Sequence, residues 1–439
     1  MYRKPETDQE GTVYMTPATS TETEIDFEAE ARLDPAIEFS SELSANPLNP
    51  RSVFLTGATG FLGVYLLDEL LAKTRAGVFC LVRAGDAFDG MRRLVAHLRN
   101  SGLWQDSFAT RIHAVAGDLE KPRFGLTDEV YRDLAGRIDV IYHNGGSVNM
   151  AFPYERLKPI NVGGTLEVLR FAGQVRTKPV HFISSMAVFF TAERENGELL
   201  KESDTPAYSE SLRSGYSKTK WVADRLVAEA HHRGLPGCIY RPVRIMGHSR
   251  TGDSSDTNDI LPNLLKACIL LGCCPQFDIE ITLVPIDYVC EAAVHLASRR
   301  ESWGRAFHLV NPSPIPWNEL MNVLRAAGYP LQDVSYSDWW RAMKQRTRPG
   351  NDSGERNLFA RIMMALTAPN FLYYKRPPFE NSFTREGLAG TPIGCPPVDC
   401  ELINAYLASW QKSGFLFVPD GSMPLAVPDH EGFAAAAEA

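Results

Sequence analysis

The fold is decided by one stretch of the sequence, Val53-Phe-Leu-Thr-Gly-Ala-Thr-Gly-Phe-Leu-Gly63. Its first residues are apolar or β-branched and predict a short buried strand, and the following Leu62–Lys73 has the periodicity of a helix. Glycine at three spaced positions lets the backbone turn sharply and approach a ligand without a Cβ in the way. Because the first N–H groups of such a helix bind phosphate, the stretch predicts a turn that holds the pyrophosphate of a dinucleotide.

Strands and helices continue to alternate after this turn. Further apolar strands are predicted at Val78–Val82, Ile112–Ala116, Val140–His143, Val180–Ser184 and Cys238–Arg241, with helical stretches between them. Since apolar residues run through whole strands, both faces of the sheet must be covered, which is typical of a parallel sheet. The predicted fold class is α/β, a Rossmann-type doubly wound parallel sheet with a smaller, mostly helical C-terminal lobe that binds substrate.

Shifts in composition give the predicted boundaries. The parts are, in order, a polar lead-in (1–45), the nucleotide-binding domain (46–250, rejoined by 283–312), the substrate lobe (251–282 and 313–420) and a tail (421–439). The lead-in is expected to be a solvated linker with one short helix around Phe27–Ile37. The lobe is expected to lie over the carboxyl ends of the strands, where ligands bind in open α/β folds.

Bulk properties exclude several classes of protein. The net charge of −8 over 439 residues argues against a nucleic-acid-binding protein. No apolar run approaches the roughly 18 residues of a membrane span, and the polar N-terminus is not a secretory signal. The eight cysteines show neither CxxC pairs nor Cys/His ligand spacing, which predicts reduced thiols in a cytoplasmic protein without a metal site. No feature requires a dimer, so a monomer is expected.

The residues after the strands indicate which dinucleotide binds. Arg83 follows the second predicted strand, where folds that prefer NAD place Asp or Glu to bond the ribose 2′-hydroxyl. An arginine there accommodates a 2′-phosphate and favours NADP(H), and Arg93 on the next helix is a second candidate. A solvated surface arginine is the alternative for each. Asp118, after the third strand, can bond the adenine amino group, and Asn144 follows the fourth, beside the adenosine ribose.

Tyr216 and Lys220 form the predicted catalytic pair, because residues i and i+4 share one face of a helix. A nearby ammonium should lower the pKa of a tyrosine and make it an acid–base catalyst. Ser185 ends the fifth predicted strand and can hold a substrate oxygen beside the tyrosine, with Ser184 as the rival, since only one of two neighbours on a strand faces the site. Asn161 has two open roles, a plain N-cap and support of a water relay to Lys220.

Several segments carry a family resemblance. They are Leu55-Thr-Gly-Ala-Thr-Gly-Phe-Leu-Gly63, Leu81-Val-Arg-Ala84, Gly117-Asp-Leu119, His143-Asn-Gly-Gly-Ser-Val-Asn149, Asn161-Val-Gly-Gly-Thr165, Tyr216-Ser-Lys-Thr-Lys220 and Tyr240-Arg-Pro242. They resemble the extended short-chain dehydrogenase/reductase superfamily. With Gly247–Gly252 and Glu28–Pro35, the chain is similar to the thioester reductase domains that terminate nonribosomal peptide and polyketide assembly lines, and to the reductase domains of carboxylic acid and aminoadipate reductases.

The resemblance implies NADPH-dependent reduction of an acyl or peptidyl thioester, carried on the phosphopantetheine arm of a carrier domain, to an aldehyde and then to a primary alcohol. Ser185 and Tyr216 would bond the developing oxyanion, and Tyr216 would supply the proton. The predicted cofactor-binding residues are Thr56, Gly57, Thr59, Gly60, Phe61, Leu62, Gly63, Arg83, Arg93, Asp118, Leu119, Asn144, Gly145, Tyr216, Lys220, Pro242 and Val243.

Some features leave alternatives open. Val243-Arg244 stands where these relatives are expected to have glycine, and could change the shape or charge of the nicotinamide pocket. Aromatic residues of the lobe could line an acyl tunnel or form its core; they are Trp317, Trp339, Trp340, Phe371 and Tyr373. Lys344–Arg348 could dock an acidic carrier or be a solvated face. The rival functions are an extended reductase or epimerase for a soluble substrate, a fatty acyl-CoA reductase and a non-enzymatic NADP-binding regulator.

Overall fold

The central element of the fold is a parallel sheet. The computed structural model describes residues 25–150, 152–190, 199–208, 210, 212, 214–254, 259–367 and 378–419, and the short strands Glu6–Thr7 and Val13–Tyr14. In these residues, seven strands form the sheet: β1 (Ser52–Thr56), β2 (Gly77–Val82), β3 (Ile112–Ala116), β4 (Val140–His143), β5 (Val180–Ile183), β6 (Gly237–Pro242) and β7 (Arg305–Leu309). Their order is β3-β2-β1-β4-β5-β6-β7, so the direction of winding reverses between β1 and β4. The predicted fold class is confirmed, and this reversal marks where a ligand binds.

Helices cover both faces of the sheet and build the lobe. In chain order, those of the described residues are α1 (Phe27–Glu30), α2 (Phe61–Lys73), α3 (Ala87–Asn100), α4 (Asp128–Arg137), α5 (Tyr154–Lys158), α6 (Gly164–Gly173), α7 (Gly215–His232), α8 (Ile260–Leu271), α9 (Ile286–Ala297), α10 (Trp317–Ala326), α11 (Tyr336–Arg346), α12 (Ser353–Thr367), α13 (Ser382–Leu388) and α14 (Cys400–Lys412). No helix within the described ranges is long and apolar enough to cross a membrane.

Side-chain alternation along β1 divides the core into two layers. Val53 and Leu55 pack into the apolar cluster that contains α2, α3 and α9. Phe54 points to the opposite face, where its ring centroid lies 5.4 Å from that of Phe124 and 5.0 Å from that of Phe171. Because both layers are apolar, every residue of β1 after Ser52 is buried, as the continuous apolar strand predicts.

The lead-in differs from its prediction as a solvated linker. Phe27, Leu33 and Ile37 are buried in the core cluster shared with α6 and α7. The Leu33 N–H donates to the Glu229 carboxylate over 2.7 Å, and Glu30 forms a 2.6 Å ion pair with the Lys158 ammonium. From Ile25 onward, the segment is therefore a packed part of the nucleotide-binding domain.

The C-terminal lobe has a separate core. It contains buried residues of α8, α10, α11, α12 and α14 around the indoles of Trp317, Trp339 and Trp410. Between these helices lie two pairs of short strands, Cys273–Pro275 with Gln332–Val334 and Glu280–Ile281 with Ile315–Pro316. Helix α13 leaves this lobe and packs on the sheet beside α9 and β7.

One irregular turn interrupts a long helix next to β4. Helix α5, the π turn Pro159–Gly163 and α6 follow one another without a break in helical backbone. In the π turn the Gly164 N–H donates to the carbonyl of Pro159, five residues earlier. Such turns are frequent at functional sites, and this one contains Asn161.

Candidate active site

The glycine turn between β1 and α2 leaves its backbone accessible. Gly57 has a φ of +75°, and a Cβ on it would lie 2.8 Å from the Gly145 nitrogen. A Cβ on Gly63 would lie 1.9 Å from the Gly57 carbonyl oxygen. Protein packing therefore requires glycine at these two positions. At Gly60 the nearest described atom would be 3.4 Å from a Cβ, so the small residue leaves space for a ligand.

The first turn of α2 begins, among the described residues, without a side-chain cap at Gly60. The side chains of Asp86, Thr127 and Ser214, in contrast, cap α3, α4 and α7. Uncapped N–H groups at a helix start, at the positive end of its dipole, fit the pyrophosphate of a dinucleotide. Thr59, Phe61 and Leu62 belong to this turn and the first turn of α2.

Two arginines meet at the carboxyl end of β2. Arg83 leaves 67% of its side chain exposed and lies 3.9 Å from the Glu120 carboxylate. The Arg93 guanidinium donates to the Arg83 carbonyl. On the neighbouring strand end, the Asp118 carboxylate accepts the Glu120 N–H over 3.1 Å. The predicted residues for the adenosine half of the cofactor are thus at one edge of the sheet.

Hydrogen bonds join the carboxyl ends of β1 and β4 directly. The Gly145 N–H donates to Thr56 Oγ1 over 2.8 Å, and the Asn144 side-chain amide lies 3.4 Å from the Gly57 carbonyl. Leu119 fills the space behind them, because a Cβ on Gly145 would come within 2.8 Å of its side chain. Two predicted cofactor loops therefore form one surface at the reversal of the sheet.

The three predicted catalytic side chains come together at the end of β5. The Ser185 hydroxyl lies close enough to Tyr216 to lower the pKa of the tyrosine. Tyr216 lies in the first turn of α7 and is 7% exposed. The Lys220 ammonium donates to the Ile183 carbonyl over 2.7 Å and lies 4.7 Å from the ring centroid of Phe182. Two neighbouring hydroxyls, of which Tyr216 is buried and Ser185 half-buried, with a cation one helical turn from the tyrosine, can bind and protonate a carbonyl oxygen.

The two neighbouring serines have different partners. Ser184 Oγ donates over 2.6 Å to the Asp224 carboxylate, which also accepts two hydrogen bonds of 3.0 and 2.7 Å from Arg241. Ser184, Asp224 and Arg241 are all at most 3% exposed. The Ser185 side chain, in contrast, faces Tyr216 and caps the short helix Met186–Phe189 through a 3.1 Å bond from the Ala187 N–H. The geometry favours Ser185 for the contact with substrate.

Burial controls the protonation of the catalytic pair. It raises the pKa of Tyr216 to about 12, against a smaller lowering by the hydrogen bond from Ser185. It lowers the pKa of Lys220 to about 8, and the Asp224 carboxylate counteracts this in part. The predicted net lowering of the tyrosine pKa is not seen in this structure, because burial of the Tyr216 hydroxyl is the largest effect and the Lys220 ammonium donates to the Ile183 carbonyl. A protonated tyrosine is the state that a reductase needs in its proton donor.

Known proteins are similar to this chain over most of its length. An NAD-binding family model described as "Male sterility protein" matches residues 55–293. The crystal structure of the terminal R domain from the myxalamid PKS-NRPS biosynthetic pathway is similar with a TM-score of 0.84 and 38% sequence identity, covering 90% of this chain and 99% of that domain. This chain is a reductase (R) domain. It is accordingly an oxidoreductase that uses a nicotinamide cofactor.

Longer proteins contain relatives of this R domain. A linear gramicidin synthase protein of Brevibacillus parabrevis is 36% identical over 403 residues, which are 91% of this chain and 8% of that protein. L-2-aminoadipate reductase of Saccharomyces cerevisiae is 32% identical over 408 residues, which are 87% of this chain and 29% of that protein. The chain thus spans less than a third of the length of these two relatives.

Asn161 of the R domain is not a helix cap. It lies inside the π turn, where its side chain accepts the Ser147 N–H over 2.7 Å and donates over 2.9 Å to Thr219 on α7. The N-cap alternative is therefore wrong, and the water relay to Lys220 stays a prediction. The link to Thr219 was not predicted, since hydrogen bonds between distant segments leave no local pattern.

The structure shows the surroundings of Arg244 and of the aromatic residues of the lobe. Pro242 ends β6 and Val243 is 6% exposed, while the Arg244 side chain forms an ion pair with Asp259, the N-cap of α8. This ion pair compensates the charge of the Arg244 side chain. Trp317 and Trp339 are core residues of the lobe. Trp340 is partly buried against Tyr336, and Phe371 and Tyr373 lie outside the described residues.

Proposed function

We propose that this R domain uses NADPH to reduce an acyl or peptidyl thioester, presented by a carrier domain, to an aldehyde and then to a primary alcohol. The observation that carries the proposal is the grouping of Ser185, Tyr216 and Lys220 at the end of β5, where Tyr216 and Lys220 are buried and the Ser185 hydroxyl acts on Tyr216. The similarity to an R domain of a PKS-NRPS pathway over 90% of the chain supports the choice of a carrier-bound substrate.

Each catalytic side chain has one task in this reaction. Ser185 and Tyr216 donate hydrogen bonds to the carbonyl oxygen and stabilise the negative charge that develops there. When bound, the reduced nicotinamide supplies the hydride to the carbonyl carbon. Tyr216 then gives its proton to the oxygen, and the Lys220 ammonium stabilises the phenolate that remains. The C–S bond of the resulting hemithioacetal breaks, which releases the aldehyde and the carrier thiol.

The choice of NADPH follows from the residues at the adenosine half of the site. Arg83 and Arg93 lie together after β2, the position from which an arginine can accommodate a 2′-phosphate, and this supports the choice. A guanidinium binds phosphate with two parallel hydrogen bonds, whereas the ribose hydroxyl of NAD offers it no such partner. On this proposal, the phosphate displaces the long 3.9 Å contact between Arg83 and Glu120.

Apolar side chains beside the catalytic pair suit an acyl chain. In the loop after β4, Val148 and Met150 are 74% and 53% exposed. The sulfur of Met150 accepts a 3.6 Å hydrogen bond from Ser214, which caps the helix that carries Tyr216. At the end of α11, Lys344 and Arg348 are exposed and provide a basic surface for an acidic carrier.

The test is to present one medium-chain acyl group in three forms, as a thioester on a carrier domain, as the coenzyme A thioester and as the free aldehyde. NADPH absorbance and product analysis are followed for each. We expect oxidation of NADPH with all three, the lowest KM with the carrier form, and alcohol as the final product. If aldehyde is the only product, the domain performs a two-electron reduction and does not reduce the aldehyde further. Turnover of a soluble sugar nucleotide without turnover of any thioester would contradict the proposal.

A further inference from the structure

A directed series of hydrogen bonds runs from the cofactor loops to helix α6 through His143. The Gly145 N–H donates to Thr56 Oγ1 over 2.8 Å, and Thr56 Oγ1 lies 2.8 Å from His143 Nδ1. On the other side of the ring, His143 Nε2 lies 3.0 Å from Thr165 Oγ1, which donates to the Asn161 carbonyl over 2.7 Å. The three side chains of Thr56, His143 and Thr165 are each 1% exposed.

The protons of this series can be assigned from one end. A carbonyl oxygen only accepts, so the single hydroxyl proton of Thr165 is directed at Asn161. His143 Nε2 must then be the donor to Thr165, and the neutral ring leaves Nδ1 as an acceptor for the hydroxyl of Thr56. Thr56 Oγ1 in turn accepts the Gly145 N–H. Every donor has an acceptor, which buried polar groups require.

The surroundings of His143 keep it neutral. Burial, together with a smaller contribution from the Lys220 ammonium, lowers the pKa of His143 to about 3. The imidazole stacks on Phe182 with a centroid distance of 5.3 Å, and the Lys220 ammonium lies 4.7 Å from the centroid of the same ring. A second positive charge in this place would oppose the one that the catalytic pair needs.

We propose that His143 is a positioning residue for the cofactor, fixed as the Nε2–H tautomer, which sets the spacing of the loops after β1 and β4. The loops touch at Gly57 and Gly145, and the bond between Gly145 and Thr56 joins them. His143 orients the Thr56 hydroxyl so that its oxygen can accept that bond. At its other end the series reaches Asn161, whose amide donates to Thr219, located between Tyr216 and Lys220.

His143→Leu tests the proposal, with His181→Leu as the matched control. His181 is also fully buried, lies on the neighbouring strand β5, and has a pKa lowered to about 3 by burial. Its Nε2 has no hydrogen-bond partner in the described part of the chain. We expect the Kd for NADPH, measured by calorimetry, to rise about tenfold in His143→Leu and to stay within about twofold in His181→Leu. Equal Kd values in the two variants, with lower thermal stability only, would make His143 a structural residue and overturn the proposal.

Two further measurements apply even where His143→Leu does not fold. Thr165→Val removes the acceptor of His143 Nε2 and should raise the Kd for NADPH in the same direction. In the wild-type domain labelled with ¹⁵N-histidine, NMR should show His143 as the neutral Nε2–H tautomer at neutral pH. An unchanged Kd in Thr165→Val, or an Nδ1–H or charged ring, would refute the proposal. Because these readouts need no thioester, they do not depend on the proposed substrate.

Discussion

The two ends of the cofactor site differ in their exposure to water. At the catalytic end, Tyr216 and Lys220 are each 7% exposed. At the adenosine end, 67% of the Arg83 side chain is exposed. The catalytic end is held by hydrogen bonds that join α7 to the ends of two strands, β5 and β6, through Asp224 and Arg241 among others. At the adenosine end, Arg83 has a 3.9 Å ion pair and Arg93 one bond to a carbonyl.

The difference in burial between the two ends matches two requirements of the enzyme, catalysis and selection of the cofactor. Catalysis needs donors held in place in a site of low dielectric constant, where each hydrogen bond is strong. Selection of a phosphate needs only long, charged side chains at the surface, whose interactions water and salt weaken. Changes at the catalytic end should therefore affect turnover severely, and changes at the adenosine end should affect cofactor affinity mildly.

The largest effect is expected at Tyr216. Tyr216→Phe removes the proton donor and one of two oxyanion donors, so turnover of a thioester should fall by roughly 10³-fold. The Kd for NADPH should change little, since the ring stays in place. Tyr142→Phe, at a buried tyrosine of β4, is the control and should keep its activity. Comparable turnover in wild type and Tyr216→Phe would remove the basis of the catalytic assignment.

Ser185 and Ser184 are expected to have different roles within the catalytic end. Ser185→Ala should lower kcat on the order of 10²-fold, because one donor to the oxyanion is lost. Ser184→Ala should instead lower the free energy of unfolding by about 1–3 kcal/mol, because the buried Asp224 loses a hydrogen bond. Steady-state kinetics and chemical denaturation of both variants separate the roles. The reverse pattern would exchange the assignments of the two serines.

The pH dependence of reduction should follow Lys220. Its pKa is lowered to about 8, so the ammonium is present below that pH and is lost as the pH rises through it. We expect kcat/KM to be level near neutral pH and to fall above it, approaching about tenfold per pH unit. Lys220→Arg keeps its charge throughout and should lose this alkaline fall, at a lower absolute rate. An unchanged alkaline limb in this variant would assign it to another group.

The smallest effect is expected at the adenosine end. Arg83→Ala and Arg93→Ala should each raise the KM for NADPH by about tenfold or less and leave the KM for NADH nearly unchanged. For the wild type, the KM for NADPH should also rise with salt concentration, because the contact is exposed. A neutral change at Arg92, whose guanidinium pairs with Asp89 on the outer face of α3, serves as the control. Equal losses for both cofactors would argue against recognition of a 2′-phosphate.

The sheet was predictable because its signal is local. Most of its strands are largely apolar, and a strand end followed by glycine or a polar residue identified the positions of Arg83, Asp118, Asn144 and Ser185. The confirmed assignment to the R domains came from short segments of the same kind. The roles of the individual site residues and the preference for NADPH stay predictions.

Other features depend on contacts that no local pattern contains. Phe27, Leu33 and Ile37 stand among charged residues, so the lead-in looked solvated although these side chains are buried. The lobe core combines five helices with aromatic residues at irregular spacing. The raised pKa of Tyr216 results from burial by distant segments, which the spacing to Lys220 alone does not indicate.

The π turn at Pro159–Gly163 determines the direction in which each side chain of α6 points around the helix axis. It holds one residue more than an α-helical turn would, and each residue of an α-helix advances the chain by roughly 100° about the axis. Deleting one residue here would keep the helix but rotate its downstream side chains by that angle. Thr165 would turn away from His143, whose Nε2 now lies 3.0 Å from the Thr165 hydroxyl oxygen. Phe171 would turn away from Phe54, whose ring centroid now lies 5.0 Å from its own. The length of this turn is thus as strictly determined as the identity of any residue in the site.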